Sequence, residues 1–287
     1  MPDALKSQIK KYSGFLLALP GTLWVLIFFI APLFIILGIS FLTRTSSGVG
    51  TLPLTLTHYE RSFSFFGHVI WRSVWIAFVT TLICLVASYP LAFYIRSRKS
   101  PFVQNFALFL VMLPFWTNFL VRTYSWQAIL SRNGVLNGFL MNLGIVDEPL
   151  QMLNTEFALL IGLTYGFLPY MTLPIYVSLR RFDFKMIEAS QDLGANDWKT
   201  FWHVVLPMTI PGVVVGCILV FVPAIGDFVV ANMMGGNRGL MIGNLVQNQY
   251  RGIGNMPLGS ALSVILMIPV LIAIVIYARM DERGENI

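Results

Sequence analysis

The chain has 287 residues, of which 56% are hydrophobic and only 11% charged, with a mean hydropathy of +0.74. That much apolar surface is more than one soluble core can hide, so a soluble globular protein is excluded and an integral membrane protein remains. The net charge of +6 is spread along membrane flanks with no basic cluster standing apart, which makes nucleic-acid binding a poor explanation of it.

Six apolar runs have the roughly 20-residue length that crosses a bilayer: Phe15 to Phe41, Val69 to Ile95, Val103 to Tyr124, Phe157 to Leu179, Met208 to Ala231 and Leu258 to Ala278. They are continuously apolar rather than alternating, so the chain is read as all-α with six membrane helices, not as a barrel. Their interiors hold Pro32, Pro114, Pro169, Pro174, Pro211, Pro223 and Pro269, which membrane helices tolerate because neighbours re-satisfy the freed backbone groups. The first run follows a basic stretch but is too long for a secretory signal and lacks a small-residue cleavage site, so it is read as a retained span. One membrane domain over residues 1–287 is expected, with no soluble module.

Placing both termini in the cytoplasm puts 12 of the 19 Lys and Arg residues on the inner side, among them Lys6, Lys10, Lys11, Arg96, Arg98, Lys99, Arg180, Arg181, Lys185 and Lys199. Arg44, Arg61, Arg72, Arg122, Arg132, Arg238 and Arg251 fall outside. Every lysine is then on the inner side, as the positive-inside rule expects. The outer segments, near Leu42 to His68, Ser125 to Glu156 and Asn232 to Pro257, are rich in Gly, Asn, Pro and aromatics and should contain short re-entrant or interfacial helices, with turns at Asn133-Gly134 and Gly235-Gly236-Asn237. Gly212 and Gly216 form a GxxxG in the fifth run, a pattern that permits close helix approach. Cys84 and Cys217 sit mid-span and read as small hydrophobes.

Between the fourth and fifth runs stands Glu188-Ala189-Ser190-Gln191-Asp192-Leu193-Gly194-Ala195-Asn196-Asp197-Trp198-Lys199-Thr200-Phe201-Trp202-His203-Val204-Val205-Leu206-Pro207. Asp183 to Leu193 can form a helix with Glu188 near the positive end of its dipole, ended by Gly194 in the left-handed conformation. A second helix can start at an Asn196 or Asp197 cap, with Trp198, Phe201, Trp202 and Val205 as an aromatic stripe. The residues alone leave two readings of that stripe: a helix that docks in a partner's apolar groove, or one that rests in lipid headgroups.

The segment resembles the coupling loop of ABC importer permeases: Glu-Ala-Ala, three residues, Gly, nine residues, an aliphatic, one residue, Leu-Pro. Glu188, Ala189, Gly194, Val204, Leu206 and Pro207 are in register, and Ser190 replaces the third-position Ala. The resemblance favours docking. It implies a type I ABC importer permease fold with cytoplasmic coupling helices over about residues 183–207, ATPase contact through Glu188, Ala189, Gly194, Trp198, Phe201, Leu206 and Pro207, and a bacterial inner-membrane location. Pro114 through Tyr124, and Asn232-Met233-Met234-Gly235-Gly236 with Leu240 to Asn244, resemble segments of the spermidine/putrescine permease subfamily. What that implies is polyamine import by alternating access, a second related permease, an extracytoplasmic solute-binding protein and two ATPase subunits that carry the ATP and Mg. The chain itself would then hold no cofactor and no metal, and would not be an enzyme.

Asp227, in Val222-Pro223-Ala224-Ile225-Gly226-Asp227-Phe228, is the acid that stands out, because an ionised side chain in a span costs about 2.5–3.5 kcal/mol on insertion scales. It reads equally as an anion facing a cation's path or as a helix-end acid that reaches water or pairs with Arg122. With the resemblance, Asp227, Trp116, Asn118, Tyr165 and Tyr170 become the expected substrate path, acids for ammonium groups and aromatic faces for cation–π contact. Trp116 and Tyr170 can equally be interfacial or packing residues, and Asn118 can join two helices.

The search for other chemistry is empty. Trp198 stands where a P-loop needs its second Gly, His58, His68 and His203 have no ligand spacing, and no nucleophile elbow occurs. A secondary transporter is the rival class, and would more typically carry several intramembrane acids or broken helices in inverted halves. Within the importer class the rival cargoes are other organic cations, aminoalkylphosphonates, and ferric ion or oxyanions.

Overall fold

The computed structural model describes residues 18–45 and 48–284. Lys6, Lys10, Lys11 and the first residues of the first expected span lie outside that range, as do the side chains of Arg238 and Arg283. The described residues are helical apart from one two-stranded antiparallel hairpin, β1 (Leu42–Arg44) and β2 (Gly50–Leu54), in which Thr43 faces Thr51 and Arg44 faces Gly50. Five helices are long and apolar enough to cross a membrane: α1 (Ala18–Ser40), α2 (Thr57–Ser97), and three further along the chain. A bent pair can supply a sixth.

The bent pair corrects the third expected span. Instead of one helix from Val103 to Tyr124, the chain forms α3 (Pro101–Trp116) and then turns by 92° into α4 (Phe119–Leu130) and the short α5 (Val135–Asn142). Thr117 is extended at the break, and its hydroxyl and the Arg122 Nη1 both donate to the Pro114 carbonyl, at 2.7 and 2.9 Å. The Thr117 N–H donates to the same carbonyl at 3.4 Å, so three donors converge on this helix-end acceptor. Asn118 starts α4 as its N-cap, its side-chain oxygen accepting from the Leu120 N–H at 2.8 Å.

The next helices are α6 (Glu156–Arg181), α7 (Lys185–Asp192) and α8 (Asp197–Gly226), then α9 (Ile242–Gln247) and α10 (Met256–Gly284). Two boundaries differ from the sequence reading. α2 begins at Thr57, twelve residues earlier than the apolar run, because its first turns are too polar for hydropathy to include. α8 runs unbroken from Asp197 through Pro207 and stops at Gly226, so the fifth span does not reach Ala231. Pro207 is absorbed because a π-turn over Phe201–Val205 precedes it, with the Leu206 N–H bonded to the Phe201 carbonyl. Pro32 follows a π-turn over Leu26–Ile30 in the same way. A wider turn lets the ring clear the preceding carbonyl where a proline removes the donor.

The chain groups into two compact units, one of Met1–Phe65 with Asn248–Ile265 and one of Phe66–Gln247 with Leu266–Ile287. In the first, the hairpin is tied to the start of α2 by His58, whose Nε2 meets the Leu42 carbonyl at 3.0 Å, and Ser40 meets the Tyr59 hydroxyl at 2.7 Å. Arg44 donates to the Ile253 carbonyl at 3.3 Å. The membrane-length window of α1 buries nothing in the chain, so its apolar surface is available to lipid or to another subunit.

The second unit holds the main core. Met171, Ile175 and Leu179 of α6, Ala92 and Ile95 of α2, and Val205 and Val220 of α8 are buried together. α6 and α8 approach closely at Gly212 and Gly216: a Cβ on Gly212 would meet the Ser178 side chain and the Pro174 carbonyl, and one on Gly216 would lie 2.7 Å from the Met171 sulfur. The GxxxG read from sequence is thus a contact surface. Hydroxyls tie both helices to α2, Tyr89 to Thr209 of α8 at 2.7 Å and Ser88 to Thr172 of α6 at 2.9 Å. Arg72 and Glu156, at 2.8 Å, form the one salt bridge among the described residues.

Candidate functional site

Two places in the second unit combine exposed or charged groups with a built scaffold. The first is the helical hairpin of α7 and the start of α8. Its base is held by Phe184, which packs 5.8 Å from Phe93 and carries the Arg96 guanidinium 4.8 Å from its ring centre. α7 ends at Gly194, whose φ of +85° is the left-handed conformation expected of it, with the Gly194 and Ala195 N–H groups returning to the Gln191 and Ser190 carbonyls. Asn196 rather than Asp197 caps the next helix, accepting from the Lys199 N–H at 2.8 Å. Ser190 to Thr200 at 3.0 Å and Gln191 to Asp197 at 2.8 Å close the hairpin.

This arrangement divides the expected aromatic stripe. Phe201 turns inward, edge-on to Tyr89 at 5.3 Å, and Val205 is buried, so part of the stripe finds its partner in this chain. Trp198 and Trp202 remain exposed. With Phe201 and Leu206 they form one wall of an apolar groove of about 530 Å³ whose other wall includes Val86, Tyr89 and Phe93. Glu188, Ala189 and Pro207 are also exposed. One residue that the sequence reading passed over stands at the tip: Leu193 is 90% exposed.

The second place is a cavity of about 250 Å³ lined by Phe115, Thr117, Phe119, Arg122, Gly162, Leu163, Gly166, Phe167, Tyr170, Asp227 and Val230. It forms where two helices break, α3 at Thr117 and α8 at Gly226. Asp227 follows the end of α8, and its Oδ1 accepts from the Val230 N–H at 2.8 Å, capping the next helical segment. Asn244 braces that break: its amide donates to the Phe228 carbonyl at 3.0 Å and to Asn232 at 2.6 Å, while its oxygen accepts from the Met241 N–H.

Of the five residues expected along a substrate path, the structure brings Asp227 and Tyr170 to this cavity. The other three do not line it. Trp116 is 76% exposed and edge-on to Phe109 at 5.5 Å, Asn118 is spent on its cap, and Tyr165 packs against Trp126 at 5.4 Å with Arg122 5.8 Å from its ring centre. Phe115, Phe119 and Phe167 are lining residues that the sequence did not select, and Arg122 is one that it offered only as a partner for Asp227. Arg122 does not form the salt bridge with Asp227 that was one reading of it; the two share the cavity without touching. Among the described residues no group of three His, Cys, Asp or Glu side chains comes together.

A membrane-helix bundle with an exposed helical hairpin at one end and a charged cavity between broken helices is the architecture of a transport permease. Residues 87–284 match the model of the binding-protein-dependent transport system inner membrane component, and the chain belongs to that family. It is 40% identical over 260 residues to the spermidine/putrescine transport system permease protein PotB of Haemophilus influenzae, covering 90% of this chain and 91% of that one. Identity to PotB of Escherichia coli is 39% over 257 residues, 89% of this chain and 93% of that one. The inner membrane ABC transporter permease protein YdcU of Escherichia coli is 32% identical over 281 residues, 93% and 89% of the two chains. Among solved structures, a bacterial ABC transporter involved in the import of alginate superposes with a TM-score of 0.77 at 16% identity, over 98% of this chain and 99% of that one. The MetNI methionine ABC transporter does so with a TM-score of 0.54 at 18% identity, over 74% and 93%. These structures share the fold.

Proposed function

We propose that this chain is the polyamine-translocating permease subunit of an ATP-driven importer, working with a second permease, two ATPase subunits and an extracytoplasmic binding protein. The observation that carries the reading is the 40% identity to a spermidine/putrescine permease across 90% of the chain. The cavity agrees with it chemically: a carboxylate from Asp227 and the faces of Phe115, Phe119, Phe167 and Tyr170 suit an ammonium group on an apolar linker.

Both termini and the α7–α8 hairpin are assigned to the cytoplasm, on the excess of Lys and Arg there. The hairpin then presents Leu193, Trp198 and Trp202 to the ATPase, while Gly194 and the Asn196 cap fix the angle between its helices. Because α8 continues from the hairpin to Gly226 without a break, a push on Trp198 is transmitted along one rod to the residue preceding Asp227. ATP-driven closure of the ATPases would move that rod and switch the cavity's access, and hydrolysis would reset it.

The test is uptake of labelled putrescine and spermidine into liposomes holding the copurified complex with its binding protein. Saturable uptake that requires ATP is expected. A complex that hydrolyses ATP in response to its binding protein and moves neither amine overturns the substrate, and direct uptake of a labelled aminoalkylphosphonate or ferric ion would then identify the cargo.

A further inference from the structure

Arg122 is out of place in a path for cations, and the structure gives it a specific posture. It projects from α4 into the same cavity as Asp227, half-buried, with its guanidinium held by the Pro114 carbonyl at 2.9 Å and flanked by the rings of Phe119 and Tyr165 at 5.5 and 5.8 Å. No salt bridge joins it to Asp227, whose own Oδ1 is turned to the Val230 N–H. Two opposite charges therefore face the same space of about 250 Å³, one from α4 and one from the break after α8, with no salt bridge between them.

We propose that Arg122 is a charge filter for the Asp227 cavity: it offsets the carboxylate from a separate segment, so that the cavity takes an amine end-on, one ammonium group at a time. The inference rests on the amine reading above. With Arg122 present the cavity is neutral overall, and an entering ammonium meets attraction at Asp227 and repulsion at Arg122. The first favours one charged end; the second disfavours a folded chain that would bring a second charge in beside it. Removing the Arg122 charge leaves a net anion, which holds cations more tightly and favours the amine with more of them. Spermidine should gain more than putrescine.

The experiment compares uptake by the reconstituted complex carrying the parent chain, Arg122→Gln, Arg122→Lys, Asp227→Asn, or Arg122→Gln with Asp227→Asn. Glutamine can still donate to the Pro114 carbonyl, so it removes the charge while retaining a clamp on the helix break. Arg122→Gln should lower the apparent KM for spermidine by about three- to fivefold, the size of a partly screened charge interaction, and that for putrescine by less. Arg122→Lys should recover part of that shift, and in the Asp227→Asn background the glutamine exchange should move KM by less, because without the carboxylate the ammonium is no longer held beside Arg122. An unchanged KM in Arg122→Gln, or the same shift with and without the Asp227 charge, overturns the proposal and leaves Arg122 as a clamp on Pro114. Melting temperatures of parent, single and double variants read the same coupling without substrate: a non-additive cycle is expected, and an additive one overturns it. If the parent complex hydrolyses ATP but moves neither amine, the substrate reading fails, and the melting cycle still decides whether Arg122 and Asp227 are coupled.

Discussion

Gly194 is where backbone geometry and the proposed contact with the ATPase meet, and its environment separates two explanations of any defect. Its φ is +85°, and a Cβ built there would meet nothing within 4 Å. Inside this chain a side chain at 194 is therefore penalised by conformation alone. For an L-residue the left-handed region costs about 1–2 kcal/mol, which lowers the population of the native turn by about five- to thirtyfold. Asn tolerates this region better than Ala, and a β-branched residue tolerates it less. Transport by the complex should then fall in the order Gly194, Gly194→Asn, Gly194→Ala, Gly194→Val, with the melting temperature of the exposed hairpin's parent bundle barely moved. The assay is amine taken up per ATP hydrolysed, together with stimulation of ATPase by loaded binding protein. Equal losses in Asn and Ala would refute the conformational argument and point to a partner that packs against the bare backbone. Parent behaviour in all three would remove the turn from the mechanism.

Leu193→Asp should reduce copurification of the ATPase by about ten- to a hundredfold, the worth of burying one leucine, without changing the chain's own melting temperature; undiminished copurification would place the contact elsewhere on the hairpin. Gly212→Ala should destabilise the α6–α8 contact by about 1–3 kcal/mol, as overpacking does, because the new methyl meets the Pro174 carbonyl, whereas Gly216→Ala should be milder because the nearest atom belongs to the flexible Met171 side chain. Thermal unfolding in detergent checks the order, and a reversed order would count against the packing described.

The apolar runs made five of the spans legible, since side-chain hydropathy is what a bilayer reads. The third was misread because hydropathy is blind to backbone direction: Val103 to Tyr124 is apolar throughout, yet Thr117 is extended and Asn118 caps a helix at 92° to the one before. A signal was present, an Asn two residues before Leu120 and closely following Pro114, which together mark a helix end and a new start. The hairpin was legible almost residue by residue, because a left-handed Gly and a capping Asn act locally. Continuity of α8 through Pro207 was not, as it depends on a π-turn that no residue type specifies. Least legible was the cavity. Asp227 could be singled out by its cost in a membrane and Arg122 named as a partner for it, but Phe115, Phe119 and Phe167 join them only through the packing of α3, α4, α6 and α8, which is information of the fold.

The most direct test of the whole account is to measure, in the same liposomes, labelled putrescine uptake and ATP hydrolysis for the parent complex and for Asp227→Asn. The exchange removes the charge and keeps an oxygen that can still accept from the Val230 N–H. Uptake that falls at least about tenfold, as losing a charged hydrogen bond to a cation implies, while binding-protein-stimulated ATPase persists, is what an amine path through this cavity predicts. Undiminished uptake would contradict it and return Asp227 to the role of a helix cap.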